Sequence, residues 1–251
     1  MWRNLLCGIA AVLLLGSAAE VWAQAAASRA PADKEKPPAL DTDPHLVGWW
    51  KLDDASGTTA ASACKGGKKG ALKGGLTFED DGAPGRLGKA LKFDGQDGVL
   101  EITGYKGIAG TKPRTVAAWI KTKTTRGELI AWGTDDFGQM FIFTHIRGRV
   151  GITPGGGYLY VNDQIHDDQW HHVAAVVVKG DPPNLHDSVK LYLDGALAEI
   201  HDIGLLDLWP VDTGDELDVR IGRRFDGLMD DVRIYDRALS EDEMKALFEG
   251  K

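Results

Sequence analysis

The chain has 251 residues, a formal charge of −8 and two cysteines. That acidic balance argues against nucleic acid as partner, because a phosphate backbone requires a basic face. Cys7 lies in an amino-terminal leader, so Cys64 stands alone in the mature chain; one thiol closes no internal disulfide, and a core must hold the fold.

Residues 1–23 have the three-part layout of a secretory signal peptide: an early Arg3, an apolar run from Leu5 to Leu15, then small residues up to Ala23. The apolar run is 11 residues long, too short for a bilayer core, which needs about 20. Cleavage after Ala23 is expected, leaving an exported protein (periplasmic, cell-surface or extracellular) that does not span the membrane once processed. Residues 24–44 are rich in Ala, Pro and charge and carry no large aromatic, which reads as a disordered linker. At His45 the composition changes abruptly, and residues 45–251 read as one domain. About 200 residues is ordinary for a single all-β unit.

From His45 onward, short β-like runs alternate with turn residues. The clearer runs are 47–52, 90–93, 99–102, 115–121, 128–132, 140–144, 149–152, 158–161, 171–178, 189–193, 196–200, 219–222 and 228–235. Many short strands punctuated by Gly, Asp and Asn imply an all-β sandwich or barrel rather than an α/β fold. Asp194-Gly195 is the preferred pair for a type I′ hairpin, and Arg147-Gly148 is a second hairpin signal. Helical spacing is confined to the carboxyl end. Ser240 and Glu243 form a capping box, Leu239 and Met244 have staple spacing, and Gly250 is placed to end the helix.

Several segments, in order, resemble the laminin-G-like jelly-roll family of concanavalin-A-like folds. They are residues 50–57 (WKLDDASG), 88–95 (GKALKFDG), 115–121 (TVAAWIK), 170–174 (WHHVA), 190–195 (KLYLDG) and 225–240 (FDGLMDDVRIYDRALS). The resemblance implies a two-sheet antiparallel jelly-roll sandwich with one short carboxyl-terminal helix. Residues 61–70 and 96–99 depart from the family pattern, which carries more oxygen-bearing side chains there. The fold hosts lectins, adhesion modules, enzyme appendages and hydrolases, so function must be argued from the site.

The resemblance also implies one structural Ca²⁺, with Asp53, Asp94 and Asp230 as its carboxylates. Asp230 shares strand parity with Val232 and Ile234, which turns it inward if those two face the core. A buried carboxylate must be paired, hydrogen-bonded or metal-bound; Arg220, Arg223 or backbone amides are the alternatives to the ion. His171 and His172 are strand neighbours pointing to opposite faces, so they cannot share a zinc ion.

Glycoside hydrolases of this superfold carry paired acids as Glu-x-Asp-x-x-Glu. Glu216-Leu217-Asp218 begins that pattern, but Ile221 stands at its last acid, leaving the pair incomplete. Sugar binding is expected instead from rings set in turn chemistry, since glycan CH faces stack on aromatics. Phe137, Tyr158, Tyr160, Asn162 and Trp209 are the candidates, the alternative being that each ring closes an end of the sandwich. Trp119 shares a face with Ala117 and reads as core. The expected protein is thus a non-catalytic binding module for carbohydrate or cell-surface glycoconjugate. A module binding an extracellular protein, in adhesion or envelope structure, is the second reading, and a glycoside hydrolase the third.

Overall fold

The computed structural model describes residues 39–204 and 210–250; the expected signal peptide at 1–23, the expected linker as far as residue 38, and Trp209 lie outside the described residues. Strands β1 (Leu46–Trp50), β2 (Thr59–Ala60), β3 (Gly70–Lys73) and β4 (Gly82–Pro84) come first, with the single-turn helix α1 (Phe78–Asp81) just before β4. β5 (Lys89–Asp94), β6 (Val99–Ile102), β7 (Arg114–Lys121), β8 (Arg126–Gly133), β9 (Met140–Ile146) and β10 (Arg149–Thr153) follow. Next are β11 (Tyr158–Val161), β12 (His171–Val177), the single turn α2 (Leu185–Ser188), β13 (Val189–Leu193) and β14 (Ala196–Leu197). β15 (Ile200–Gly204), β16 (Leu217–Ile221), β17 (Asp226–Tyr235) and helix α3 (Glu241–Glu249) complete the described chain.

The strands form two antiparallel sheets. One has eight strands in the order β14-β13-β12-β7-β17-β5-β4, with β1 also paired to β17; the other has nine, in the order β15-β11-β10-β9-β8-β16-β6-β3-β2. The runs expected from alternation are present. Three short strands were not legible, and each is poor in strand formers: β2 has two residues, β3 starts on Gly70, and β4 reads Gly-Ala-Pro on a sheet edge, where proline is tolerated. The single run 196–200 divides into β14 and the start of β15. Asp194 and Gly195 have φ of 51° and 78°, and Arg147 and Gly148 have 53° and 78°, the left-handed pairs that type I′ hairpins need.

Two buried clusters account for the core. The larger lies between the sheets and includes Trp50, Phe93, Val116, Ile120, Trp132, Phe141, Phe143 and Ile234. The smaller covers the outer face of the eight-stranded sheet, where Trp49, Ala117, Ala174, Tyr192 and Tyr235 meet Leu239, Met244 and Leu247 of the α3 region. α3 is docked as its sequence foretold: Ser240 accepts from the Glu243 amide, the Glu243 side chain reaches back, and Gly250 takes the left-handed C-cap at φ 70°.

This second layer revises two expectations. Trp119 is buried and shares its face with Ala117, yet that face is the outer one. Its ring stacks on Phe248 of α3 at 5.4 Å, meets His172 edge-on at 5.2 Å, and lies under the Arg86 guanidinium at 4.7 Å. Residues 39–44, assigned to the linker, belong to the domain. Leu40 is buried, Asp41 pairs with Arg233 at 2.6 Å, and Asp43 accepts from Arg237 Nε at 2.9 Å. Composition misled here because the acidic residues of this stretch are fastened to Arg233 and Arg237 at the far end of the domain.

Replacing Trp119 by Ala should cost about 3–5 kcal/mol, measured by urea unfolding, with the loss matched in part by Phe248→Ala, which strips the same stack from the helix side.

Candidate functional site

The outer face of the eight-stranded sheet is occupied by α3 and residues 39–44. The outer face of the nine-stranded sheet carries the open surface. In β11 the pattern alternates: Leu159 and Val161 are buried in the inter-sheet core, so Tyr158 and Tyr160 point outward, their ring centroids 5.2 Å apart. Pairing aligns Tyr160 with Gly151, Gly151 with Thr144, and Thr144 with Glu128, giving one row across four strands. The Tyr160 ring lies over Gly151 so closely that a Cβ there would sit 2.1 Å from Cδ1. Gly151 is thus the seat of the Tyr160 ring, and Thr144 is the low residue between the tyrosines and Glu128. Three strand spacings span about 14 Å.

Beside the tyrosines a cavity of about 160 Å³ is lined by Ile146, Arg147, Arg149, Tyr158, Tyr160 and His201. Ile146 also borders a larger cavity of about 510 Å³, whose walls include Arg126, Glu128, Thr144, Arg223 and Arg224. At its centre Glu128 accepts from Arg220 Nε at 3.0 Å and Arg223 Nη1 at 2.8 Å.

Of the expected aromatic residues, Tyr158 and Tyr160 are brought together. Asn162 follows them at the end of β11, and its carbonyl accepts from Arg149 Nε at 3.0 Å, positioning that arginine beside the rings. Phe137 is 66% exposed in the β8–β9 loop, at the opposite end of β9 from Ile146, and does not line the tyrosine cavity. Trp209 lies outside the described residues. The arginines went unnoticed in the sequence because they come from separate segments; the Arg-x-Arg of the 147–149 hairpin and the Arg223-Arg224 pair were the available signals.

Asp230 is buried, but not by the parity argument. Pairing matches Asp230 with Trp119 and Arg233 with Ala117, so three steps on β17 face two on β7. The extra residue is a bulge, with Asp231 at φ 50°. Met229, Val232 and Ile234 thus enter the inter-sheet core while Asp230 faces the outer layer beside Trp119. Arg220 and Arg223 serve Glu128 instead; Asp230 Oδ2 accepts from the Leu87 amide at 2.7 Å, and Oδ1 is buried without a hydrogen-bond partner. Burial, with the charges of Asp231 and Asp53 nearby, pushes its carboxyl up to about 7 against the pull of that amide.

Asp53 and Asp230 line one cavity of about 360 Å³ and clasp the β4–β5 turn from both sides, Asp53 Oδ1 taking the Lys89 amide at 2.6 Å. Asp94 stands apart, paired across the sheet with Asp226 and accepting from the Gln96 and Gly98 amides at 2.8 and 3.1 Å. The three carboxylates do not converge on one ion. Among the described residues no group of three or more His, Cys, Asp or Glu is arranged to hold a metal. An ion between Asp53 and Asp230 would have to draw most of its six to eight oxygens from backbone and water.

Asp218 accepts from the Gly104 amide at 2.9 Å and pairs with Lys106 at 2.9 Å, contacts that hold its carboxyl below the usual range. Arg220 follows two residues on, across a register shift against β8, and Ile221 at the pattern's last position is buried in the inter-sheet core, so no second acid completes the pair. His172 is buried beside Trp119, while His171 bonds Asp194 at 2.9 Å and Asp167 at 3.2 Å.

Two packed antiparallel sheets, one outer face closed by a helix and the other left open, define a jelly-roll sandwich. The chain belongs to the concanavalin A-like lectin/glucanases superfamily, whose Laminin_G_3 model matches residues 94–245, more than half of its length. No curated protein matches the chain. Among solved structures it is similar to domain 4 of AbnA, a GH43 extracellular arabinanase from Geobacillus stearothermophilus described in complex with arabinotriose. That likeness has 19% identity and a TM-score of 0.56, and covers 80% of this chain and 97% of that one. It is also similar to the binding domain of Paraclostridial Mosquitocidal Protein 1 (14% identity, TM-score 0.57, 82% of this chain and 52% of that one). The binding domain of botulinum neurotoxin serotype D is a third (14% identity, TM-score 0.51, 82% and 51%). The chain spans about half of each toxin domain.

His171 supplies a pH test. Its hydrogen bond to Asp194 raises its pKa despite partial burial, so its stabilising effect is full below the unfolded value of about 6.5 and fades as pH rises through the folded value. The melting-temperature gap between the parent and His171→Asn should be widest near pH 5 and narrow by pH 8.

Proposed function

We propose that this chain is an exported, non-catalytic carbohydrate-binding module that holds a short oligosaccharide along the open face of the nine-stranded sheet. The observation carrying this reading is the Tyr158–Tyr160 pair above the Gly151 floor. Two rings project from a rigid strand, low residues run beside them, and arginine and glutamate donors and acceptors flank the trough. Ring faces take the CH surfaces of sugars and the polar flank takes hydroxyls. The likeness to an arabinanase domain described with arabinotriose and to two toxin binding domains supports a binding role. The leader at residues 1–23 supports export. Asp218, engaged by an amide and a lysine, offers neither a free nucleophile nor a raised acid, which supports the absence of turnover.

A structural calcium ion between Asp53 and Asp230 is part of the same proposal. It is supported by the buried, unbonded Oδ1 of Asp230 and by two carboxylates on one cavity. Such an ion would stabilise the charged form of Asp230 and pin the β4–β5 turn.

Two measurements test these statements. On a glycan array followed by calorimetry, Tyr160→Ala should weaken binding at least about tenfold, roughly 1.4 kcal/mol, with an unchanged melting temperature; a silent array together with a captured extracellular protein partner would establish the adhesion reading instead. Calcium should raise the melting temperature above that in chelator, and Asp230→Asn should erase the difference. Identical melting with and without the ion removes calcium from the proposal.

A further inference from the structure

We propose that the oligosaccharide held on this face is acidic, its carboxylate or sulfate groups gripped by arginines along the rim; this rests on the carbohydrate-binding reading above. The tyrosine cavity and the larger cavity share Ile146. The larger one in turn shares Gln96, Asp97, Arg223 and Arg224 with a third cavity of about 320 Å³ that reaches Arg220. The three form one continuous groove around the β9–β10 hairpin and the β5–β6 and β16–β17 loops.

Arg126, Arg147, Arg149, Arg220, Arg223 and Arg224 line that groove, six of the ten arginines in the described residues. None of the described lysines does. Against these stand three acids among the described residues, Asp97, Glu101 and Glu128, so the described lining carries an excess of three cationic groups on a chain of net charge −8. Glu128 is already occupied by Arg220 and Arg223. Arg126 and Arg224 are exposed and make no ion pair among the described residues. Arg149 lines the tyrosine cavity and is held through Nε by the Asn162 carbonyl and through Nη1 by the Arg147 carbonyl at 3.5 Å.

Residue choice matters as much as charge. A solubilising surface is served by lysine as well as by arginine, and this protein spends its lysines elsewhere. Guanidinium presents a planar fork that meets a carboxylate or sulfate with two parallel hydrogen bonds, and it stacks on rings as ammonium does not. An arginine-lined trough with two tyrosines at one end matches a chain of sugar rings that bears anionic substituents. A neutral glycan would leave the unpaired arginines without partners and gain nothing from their concentration here. The occupant is a saccharide rather than an acidic peptide, because the paired rings over a glycine floor offer faces for sugar CH surfaces.

The test uses the mature chain and calorimetry with four probes of matched length: oligogalacturonate, a heparin-derived oligosaccharide, a neutral arabino-oligosaccharide and oligoglutamate. At least one of the two acidic saccharides should bind about tenfold or more tighter than the neutral one and should weaken as salt is raised past the point where the screening length falls below about 10 Å. Oligoglutamate should bind more weakly than the acidic saccharide. The double variant Arg126→Gln/Arg224→Gln, whose side chains are exposed, should lose about tenfold for the acidic saccharide, keep its melting temperature, and lose far less for the neutral probe than for the acidic one. Tyr160→Ala should weaken all saccharides. If neutral and acidic saccharides bind equally and only Tyr160→Ala matters, the carbohydrate reading stands and the acidic specificity is overturned. If oligoglutamate binds as tightly as the best saccharide, or no saccharide binds, the carbohydrate reading itself falls and takes this inference with it.

Discussion

The fold depends on β17, which pairs with β7, β5 and β1 and reaches almost every layer of the molecule. Its bulge at Asp231 lets one strand serve two cores. On one side Met229, Val232 and Ile234 seal the space between the sheets; on the other, Arg233 and Tyr235 lie in the layer beneath α3 and the segment before β1. Arg233 is the hinge of that second layer. It bonds Asp231 and Asp41 and lies over the Trp49 ring at 4.1 Å, while Trp49 Nε1 donates to Asp231 at 2.6 Å. Buried charges are tolerable only when each is answered, and here the answers come from both ends of the domain. Closure of the chain by ion pairs thus adds to apolar burial in holding the domain.

Covering one outer face leaves the other uncovered among the described residues. α3 and residues 39–44 close the eight-stranded sheet, so the proposed ligand is assigned to the nine-stranded one. There the pleat does two tasks at once. Phe141, Phe143, Val150, Ile152 and Leu159 fill the core, while the alternate positions turn Thr144, Tyr158 and Tyr160 outward and leave Gly151 beneath the Tyr160 ring. The trough is a consequence of small residues in one cross-strand row, and its rigidity comes from the sheet beneath. A ring mounted on such a strand meets its ligand without ordering a loop first, which lowers the entropic cost of binding.

Charge is distributed in the same uneven way. The whole chain is acidic, yet arginines gather around one groove, and the local field at a ligand is set by charges within about 10 Å rather than by the sum. Net charge therefore speaks against a nucleic acid wrapped on the whole surface and says nothing about a short anionic ligand in one groove. A sum over the chain hides the local excess.

Alternation, turn pairs and caps are local, and the sequence alone determined them: the strand runs of β1, β5 to β13, β16 and β17, both type I′ hairpins, the capping box of α3, and Tyr158 and Tyr160 on a common strand. Resemblance in ordered segments added the sandwich. Tertiary structure decided what no local pattern contains. A bulge reversed the parity that had aimed Asp230 at the main core, the covering helix made Trp119 core on the outer side, and Asp94 was separated from Asp53 and Asp230. Six arginines from segments as far apart as residues 126 and 224 were drawn into one groove. The physical reason is common to all of these. Side-chain direction along a strand follows from its own backbone, but which layer lies on each side, and which distant residues share it, follows only from how strands pair across the whole chain.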